Sequence, residues 1–363
     1  MMEAVRQQES GYSQWNEFLN LEKEKNCWAY TRNFQDQCGI WSRIEDKSFT
    51  VVENGQILAI CPLYVSEIEG MRSFSDDGSF LRGPLVSSHV DERKSQKVVD
   101  FAHSFVDQEA VNSKIHFARF MIDPQLASKP LGNPLLEYGY LDNSLNTQIL
   151  DLRLSEEDRR SDLRKSYKAL INKGLRTYEV GVMNSDNPDR AIHEIYRETH
   201  RKAAGRETRP KKYFDMQFTE LCAGEATLVY LRYEGRYVQL DYFNHRNGFV
   251  YYSSAADDPD FSSTCEVPLG HTILWFAQSH FKSLGFKWME IGWQYYGPQF
   301  FESPSRKESS ISYFKRGFGG STAALFRGIK FYDEEVRSQM IKTASKKYLE
   351  DCRLLSERRE EDE

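Results

Sequence analysis

Three apolar runs, "TLVYLRYEG", "RYVQLDYFNHRNG" and "FVYYSSAAD", follow one another with only Glu234-Gly235 and Arg246-Asn247-Gly248 as turns. That spacing constrains the fold more than any other feature of the chain. Short turns ending in glycine tolerate φ > 0 and match the twist of antiparallel strands, so the three runs form a meander. A twisted sheet has two faces to cover, and the flanking sequence supplies the cover. "RAIHEIYRETHRKAAGR" and "KKYFDMQFTELC" precede the meander and read as helices. "VPLGHTILWFAQSHFKSLG" follows it, starting at Pro268 and closing at Gly285, with Ile273, Phe276, Ala277 and His280 or Phe281 along one face. "FKWMEIGW" is then a strand, and "TAALFRGIKFY" the last one.

The first half repeats this logic without repeating the residues. "KSFTVVENGQILAICPLYVSEI" is a hairpin about Asn54-Gly55, and "RGPLVSS" the next strand. "DERKSQKVVDFAHSFVDQEAV" is a helix with acidic residues at its start and Val98, Ala102 and Phe105 on one face. The strands "KIHFARFMI" and "LNTQILDL" follow. The expected organisation is an N-terminal domain over residues 1–152, a second domain over 153–332 carrying the cleft, and a charged helix and tail over 333–363 that frays at its end. At 363 residues the chain is long for a single core, which agrees with two domains.

Composition excludes several classes. A net charge of −6 gives no global basic field for nucleic acid, although local basic runs exist. Six scattered cysteines, with no CxxC pair and no histidine at ligand spacing, suggest a reduced, cytoplasmic protein with no zinc site. The N-terminus has no signal-peptide pattern, and "ILAICPLYV" is less than half a membrane span. HExxH, GxSxG, a Walker loop and GxGxxG after a strand are all missing.

Two stretches carry unusual charge. In "SEEDRRSDLRKSYKALINKG", Ser155 and Asp158 make a capping-box start, Gly174 a C′ stop, and Leu163, Tyr167, Leu170 and Ile171 an apolar stripe. Its other faces hold Arg159, Arg160, Arg164, Lys165, Lys168 and Lys173, either a solvated surface or one that faces an anion. In "ISYFKRGFGG", Lys315 and Arg316 lie between two phenylalanines and before a glycine cluster. Phe314 and Phe318 anchor this turn in the core, Gly317 permits φ > 0, and the cations are either held in fixed directions toward an anion or simply solvated.

In order and spacing, the junction "DLRLSEEDRRSDLRKSYKALINKG", the segment "GHTILWFAQSHFKSLGFKWMEIG" and "SYFKRGFGG" resemble the FemAB-like branch of the GNAT acyltransferase superfamily. The likeness covers Leu145 to Tyr332 well and the N-terminal part in element order only. It implies an α/β (α+β) fold of two tandem GNAT-like domains, each a mostly antiparallel mixed sheet flanked by helices. It also implies transfer of an acyl or aminoacyl group onto an amine of a sugar, amino acid or cell-envelope precursor, with the cleft in the second domain or between the two. The family's best-known members take amino acids from aminoacyl-tRNA to cell-wall precursors. By the same resemblance Lys315 matches the family's lysine, which faces a phosphate or the developing oxyanion. No tightly bound cofactor is implied; acyl-CoA or aminoacyl-tRNA is the co-substrate.

Such a reaction needs an amine held against a carbonyl, a group to take the amine proton, and a positive field for the oxyanion. Glu290 in "MEIGWQ" shares a strand face with Trp288 and Gly292, and Asp241 in "VQLDYF" shares one with Tyr237 and Gln239; both are candidate bases. His271, in the first turn of a helix, is either a neutral base or a packed histidine. His200, Arg201 and Arg316 are candidate anion contacts, and Tyr252, Trp293 and Gln294 candidate substrate contacts. One departure stands out: the Gly-rich pyrophosphate loop of coenzyme A-dependent relatives is replaced by "STCEVPLGHTIL", with Gly270 its only glycine. That weakens a simple acetyl-CoA reading and keeps an aminoacyl-tRNA donor open, with tRNA supported only by the modest basic runs. The rival from another class is a non-catalytic GNAT-like module that binds a phosphorylated or nucleotide-linked ligand.

Overall fold

The computed structural model describes residues 1–7, 12–25, 27–41, 44–123 and 132–361. The chain forms two compact units. The first comprises Met1–Asn146, Tyr295–Ile311 and Ala324–Glu363; the second comprises Thr147–Gln294 and Ser312–Ala323. The units are therefore not successive segments of sequence.

In the first unit, strands β1 (Met2–Arg6), β2 (Glu45–Asp46), β3 (Phe49–Glu53), β4 (Gln56–Cys61), β5 (Tyr64–Ile68), β6 (Met71–Phe74), β7 (Leu81–Arg82), β8 (Leu85–Val86), β9 (Phe117–Ile122) and β10 (Leu141–Asp142) are joined with helices α1 (Tyr12–Leu21), α2 (Arg32–Trp41) and α3 (Glu92–Asn112). One sheet runs β1-β3-β4-β8; beside the last strand of the chain, Ser321–Phe331, lie β9, β6, β5 and β2 in that order. The β3–β4 hairpin turns at Asn54 and Gly55, both with positive φ (51° and 79°), as its Asn-Gly pair requires. Helix α3 starts at Asp91, whose carboxylate accepts from Lys94 N, and buries Val98, Ala102, Val106 and Ala110 at four-residue spacing. The long C-terminal helix, Glu334–Glu361, also belongs here. The fraying expected at the chain end concerns side chains of residues 356–363, which lie outside the described ones.

In the second unit the strands are β11 (Leu145–Asp151), β12 (Glu179–Met183), the meander β13 (Ala226–Tyr233), β14 (Arg236–Arg246) and β15 (Phe249–Asp257), and β16 (Trp288–Gln294). They line up as β12-β13-β14-β15-β16-β11. The meander turns carry positive φ at Glu234, Gly235, Asn247 and Gly248. Helices α4 (Glu156–Asp162), α5 (Lys165–Thr177), α6 (Arg190–Ala204), α7 (Lys211–Cys222), α8 (Pro259–Ser262) and α9 (Leu269–Ser283) complete it, and α10 (Arg306–Arg316) leads into it. Both faces of the sheet are covered. Val229, Leu231, Phe243, Met289 and Ile291 pack against Ile171 of α5 and Ile273, Ala277 and Phe281 of α9. Leu228, Leu240 and Tyr242 point the other way, against Tyr196 of α6 and Phe214 and Leu221 of α7. Alternation along each strand thus feeds two separate clusters.

The junction differs from the single helix expected over 155–174. Ser155 caps α4 by accepting from Asp158 N, but the chain breaks at Leu163 and Arg164 before α5 begins. Gly174 is not a stop: it lies inside α5, where a Cβ would sit 1.8 Å from Thr272 Oγ1 of α9. Its missing side chain lets two helices approach, and α5 continues to Thr177.

Candidate active site

Strands β15 and β16 pair in parallel over three rungs, Phe249↔Trp288, Val250↔Met289 and Tyr251↔Glu290. The next residues, Tyr252 on β15 and Ile291-Gly292 on β16, lie just past the last rung, and a cation is placed among them. Gly292 has φ +92°, and a Cβ there would be 2.9 Å from Lys315 Nζ. The glycine thus clears space for the ammonium, which also lies 5.8 Å from the Tyr252 ring centroid. Among the described residues no carboxylate comes within ion-pair distance of Lys315. Burial draws its ammonium down to about 8, with Glu290 opposing the shift. At neutral pH Lys315 remains mostly cationic, in a site that hydrates it poorly.

The two carboxylates are placed differently. Glu290 is buried on β16 and accepts from Thr147 Oγ1 of β11 at 2.7 Å, near enough to Lys315 to favour its charge. Asp241 is fully buried on β14, and both of its oxygens are engaged: Oδ1 accepts from Gln239 Nε2 and Oδ2 from Tyr252 Oη, each at 2.9 Å. Burial pushes its carboxyl up to about 7, against the pull of those two donors. Asp241 therefore meets the site through Tyr252, whose ring stacks on Phe243 at 5.2 Å and whose phenol burial keeps protonated.

The segment that carries Lys315, "ISYFKRGFGG", is the end of α10 and the turn after it. Phe318 is buried, and Phe314 packs against the same core. The expected φ > 0 is not at Gly317 but at Gly319 (76°) and Gly320 (75°). Gly317 is needed for a close approach: a Cβ there would be 2.3 Å from the Tyr167 ring. Arg316 points back to β16, donating to Gln294 Oε1 at 3.2 Å, while Gln294 Nε2 donates to Gly292 O at 3.0 Å. Trp293, between them, is half-buried.

Other candidates lie apart from this group. His271 is boxed edge-on by Tyr167 and Phe314, with ring centroids 4.2 and 5.0 Å away. Burial, with Arg164 adding, draws it down to about 4, so it is a neutral histidine of α9 packed against the end of α10. His200 sits edge-on to Tyr196 and Phe214, in the cluster on the opposite sheet face, and bonds Thr208. Arg201 is exposed and paired with Glu198 at 3.0 Å. Several cations of the basic junction have protein partners: Arg160 meets Glu156, Lys173 meets Glu266, Arg159 lies over Trp275, and Arg164 reaches Tyr313 O. Gly270 is occupied in packing, since a Cβ there would be 3.0 Å from Phe314 Cζ. Gly292, Thr147, Arg164 and Tyr167 were not assigned to the site from sequence. A glycine inside an apolar strand, which signals close approach, was the one available clue.

The first unit holds a cavity of about 1040 Å³ lined by His103, Asp123, Gln96 and Tyr138 among others; none of the candidate residues lines it. Among the described residues no cluster of His, Cys, Asp and Glu could hold a metal ion. Nor is any of their helices long and apolar enough to cross a membrane.

No protein-family model and no curated protein matches the chain. Solved structures do. FemX aligns with a TM-score of 0.64 at 10% identity, over 93% of this chain and 99% of its own. The C-terminal domain of a putative lysylphosphatidylglycerol synthetase from Agrobacterium fabrum aligns at 0.56 and 12% identity, over 90% and 94%. A tandem GNAT protein from the clavulanic acid biosynthesis pathway aligns at 0.51 and 12% identity, over 91% and 98%. At such identity the likeness is one of fold. The chain has a FemAB-like, GNAT-related fold with mostly antiparallel mixed sheets flanked by helices.

Proposed function

We propose that this chain is an acyltransferase that moves an acyl or aminoacyl group from an activated ester or thioester onto an amine. The observation that carries the reading is Lys315: a poorly hydrated ammonium with no ion-pair partner among the described residues, held where two parallel strands stop pairing. Attack of an amine nitrogen on the donor carbonyl forms a C–N bond and puts negative charge on the carbonyl oxygen. A preplaced cation in a low-dielectric setting stabilises that charge far more than water would. The donor C–O or C–S bond then breaks, and the amine gives up a proton. Glu290 is the group we assign to take it, with Thr147 fixing the carboxylate. Asp241 acts at one remove, orienting Tyr252 beside the ammonium.

The fold neighbours support the coarse reading, since they include a putative synthetase of lysylphosphatidylglycerol and a tandem GNAT protein. The stretch before and into α9 has Gly270 as its only glycine in place of a Gly-rich pyrophosphate loop, which favours aminoacyl esters over acetyl-CoA as donor. Acceptors that fit are primary amines of sugars, amino acids or cell-envelope precursors. The test is consumption of acetyl-CoA, longer acyl-CoAs and aminoacyl-tRNA by the pure protein in the presence of such amines. Amine-dependent consumption that disappears in Lys315→Ala supports the proposal. Donor binding without turnover, lost when Arg201, Lys315 or Arg316 is changed, would instead make the chain a binding module.

A further inference from the structure

The backbone on both sides of Lys315 is held by one neighbouring segment. Tyr167 Oη donates to Phe314 O at 2.9 Å, Arg164 Nη2 donates to Tyr313 O at 2.9 Å, and Arg164 N donates to Gly317 O at 2.8 Å. Carbonyls at a helix C-terminus normally turn to water or to a local cap. Here those of residues 313, 314 and 317, which bracket Lys315, are taken up by the start of α5. The two clamp residues also hold each other: Arg164 Nη1 donates to Tyr167 Oη at 3.2 Å, and its guanidinium lies 3.7 Å from the Tyr313 ring centroid. Gly317 is the counterpart of this arrangement, because only a residue without Cβ admits the Tyr167 ring.

We propose that Arg164 and Tyr167 are positioning residues for Lys315, fixing the last turn of α10 so that the ammonium reaches Gly292 and Tyr252. This rests on the role given to Lys315 above, but it concerns where the ammonium is held rather than what it reacts with. The effect is geometric: burial and Glu290 set the proton affinity of Lys315, and Arg164 is not among its causes. A fixed backbone is what turns a flexible lysine into a preorganised charge. Without the clamp the side chain relaxes toward water and regains an ordinary ammonium.

The test is competitive acetylation of the full chain with acetic anhydride across pH, resolved by mass spectrometry at the peptide carrying Lys315. In the wild type, labelling of Lys315 should titrate near 8. Tyr167→Phe keeps the ring and the packing but removes the hydroxyl, and Arg164→Gln removes the guanidinium bond. Each should raise the Lys315 midpoint by about half a unit or more, toward ordinary lysine; Arg164→Lys should restore part of it. A midpoint unchanged in both Tyr167→Phe and Arg164→Gln overturns the proposal, even if stability falls, because a merely structural role lowers stability without moving the titration. The readout needs no substrate, so failure of the transferase reading would leave it intact.

Discussion

At the scale of single residues, the second unit contains two groups whose charged form is penalised by folding. Lys315 titrates near 8 in the fold, below an ordinary lysine, so its charged form is penalised by folding. That penalty is present below pH 8 and fades as pH rises toward 10.5, the ordinary value. Lys315→Met should therefore stabilise the protein at pH 7, by about 1–3 kcal/mol, while abolishing turnover. Chemical denaturation at pH 7 checks the first half; a loss of stability would mean the ammonium has partners that offset its burial. Asp241 carries the opposite sign. Its folded value near 7 lies above the ordinary 3.8, so its contribution is fully present below pH 3.8 and is lost as pH rises through 7. Asp241→Asn should gain of the order of 2 kcal/mol at pH 8 and flatten the stability profile between pH 4 and 7. Gln239 can flip its amide to meet the new side chain, since its Oε1 is buried without a partner. An equal pH profile in the variant would show that Asp241 does not titrate there.

At the scale of elements, glycines mark where one segment must touch another. Gly317→Ala should cost about 1–3 kcal/mol by driving Tyr167 from its place, and should shift Lys315 as the clamp variants do. Gly285→Ala, by contrast, adds a Cβ into open space and meets only its φ of +84°, a cost of about 1 kcal/mol. Thermal melts of the two variants separate contact from backbone strain; equal losses would deny Gly317 its contact role. The meander and the Asn54-Gly55 hairpin were legible because local turn chemistry decides them. The break between α4 and α5 was not, because Arg164 N leaves the helix ladder for Gly317 O, more than 150 residues further along. For the same reason Arg164 read as one of many surface cations and Tyr167 as stripe. Lys315, Glu290 and Asp241 could be picked out as charges in apolar settings, but their unequal exposure to the site depends on Tyr252 and Thr147, contributed by other strands.

At the scale of the whole molecule, element order is local and was readable, while the assignment of segments to units is not. Phe326↔Ile122 and Ile329↔Leu141 pairings return the last strand to the first unit, and no sequence pattern within either strand announces its partner. In the proposed reaction Lys315 supplies charge for acyl transfer to an amine. The direct measurement is the rate of donor consumption, using aminoacyl-tRNA and acyl-CoA with a panel of primary amines, for the wild type and Lys315→Ala side by side. We predict amine-dependent consumption in the wild type and a fall of about a hundredfold or more in the variant, with an unchanged circular dichroism spectrum. A Lys315→Ala protein that consumes donor at the wild-type rate would contradict the claim.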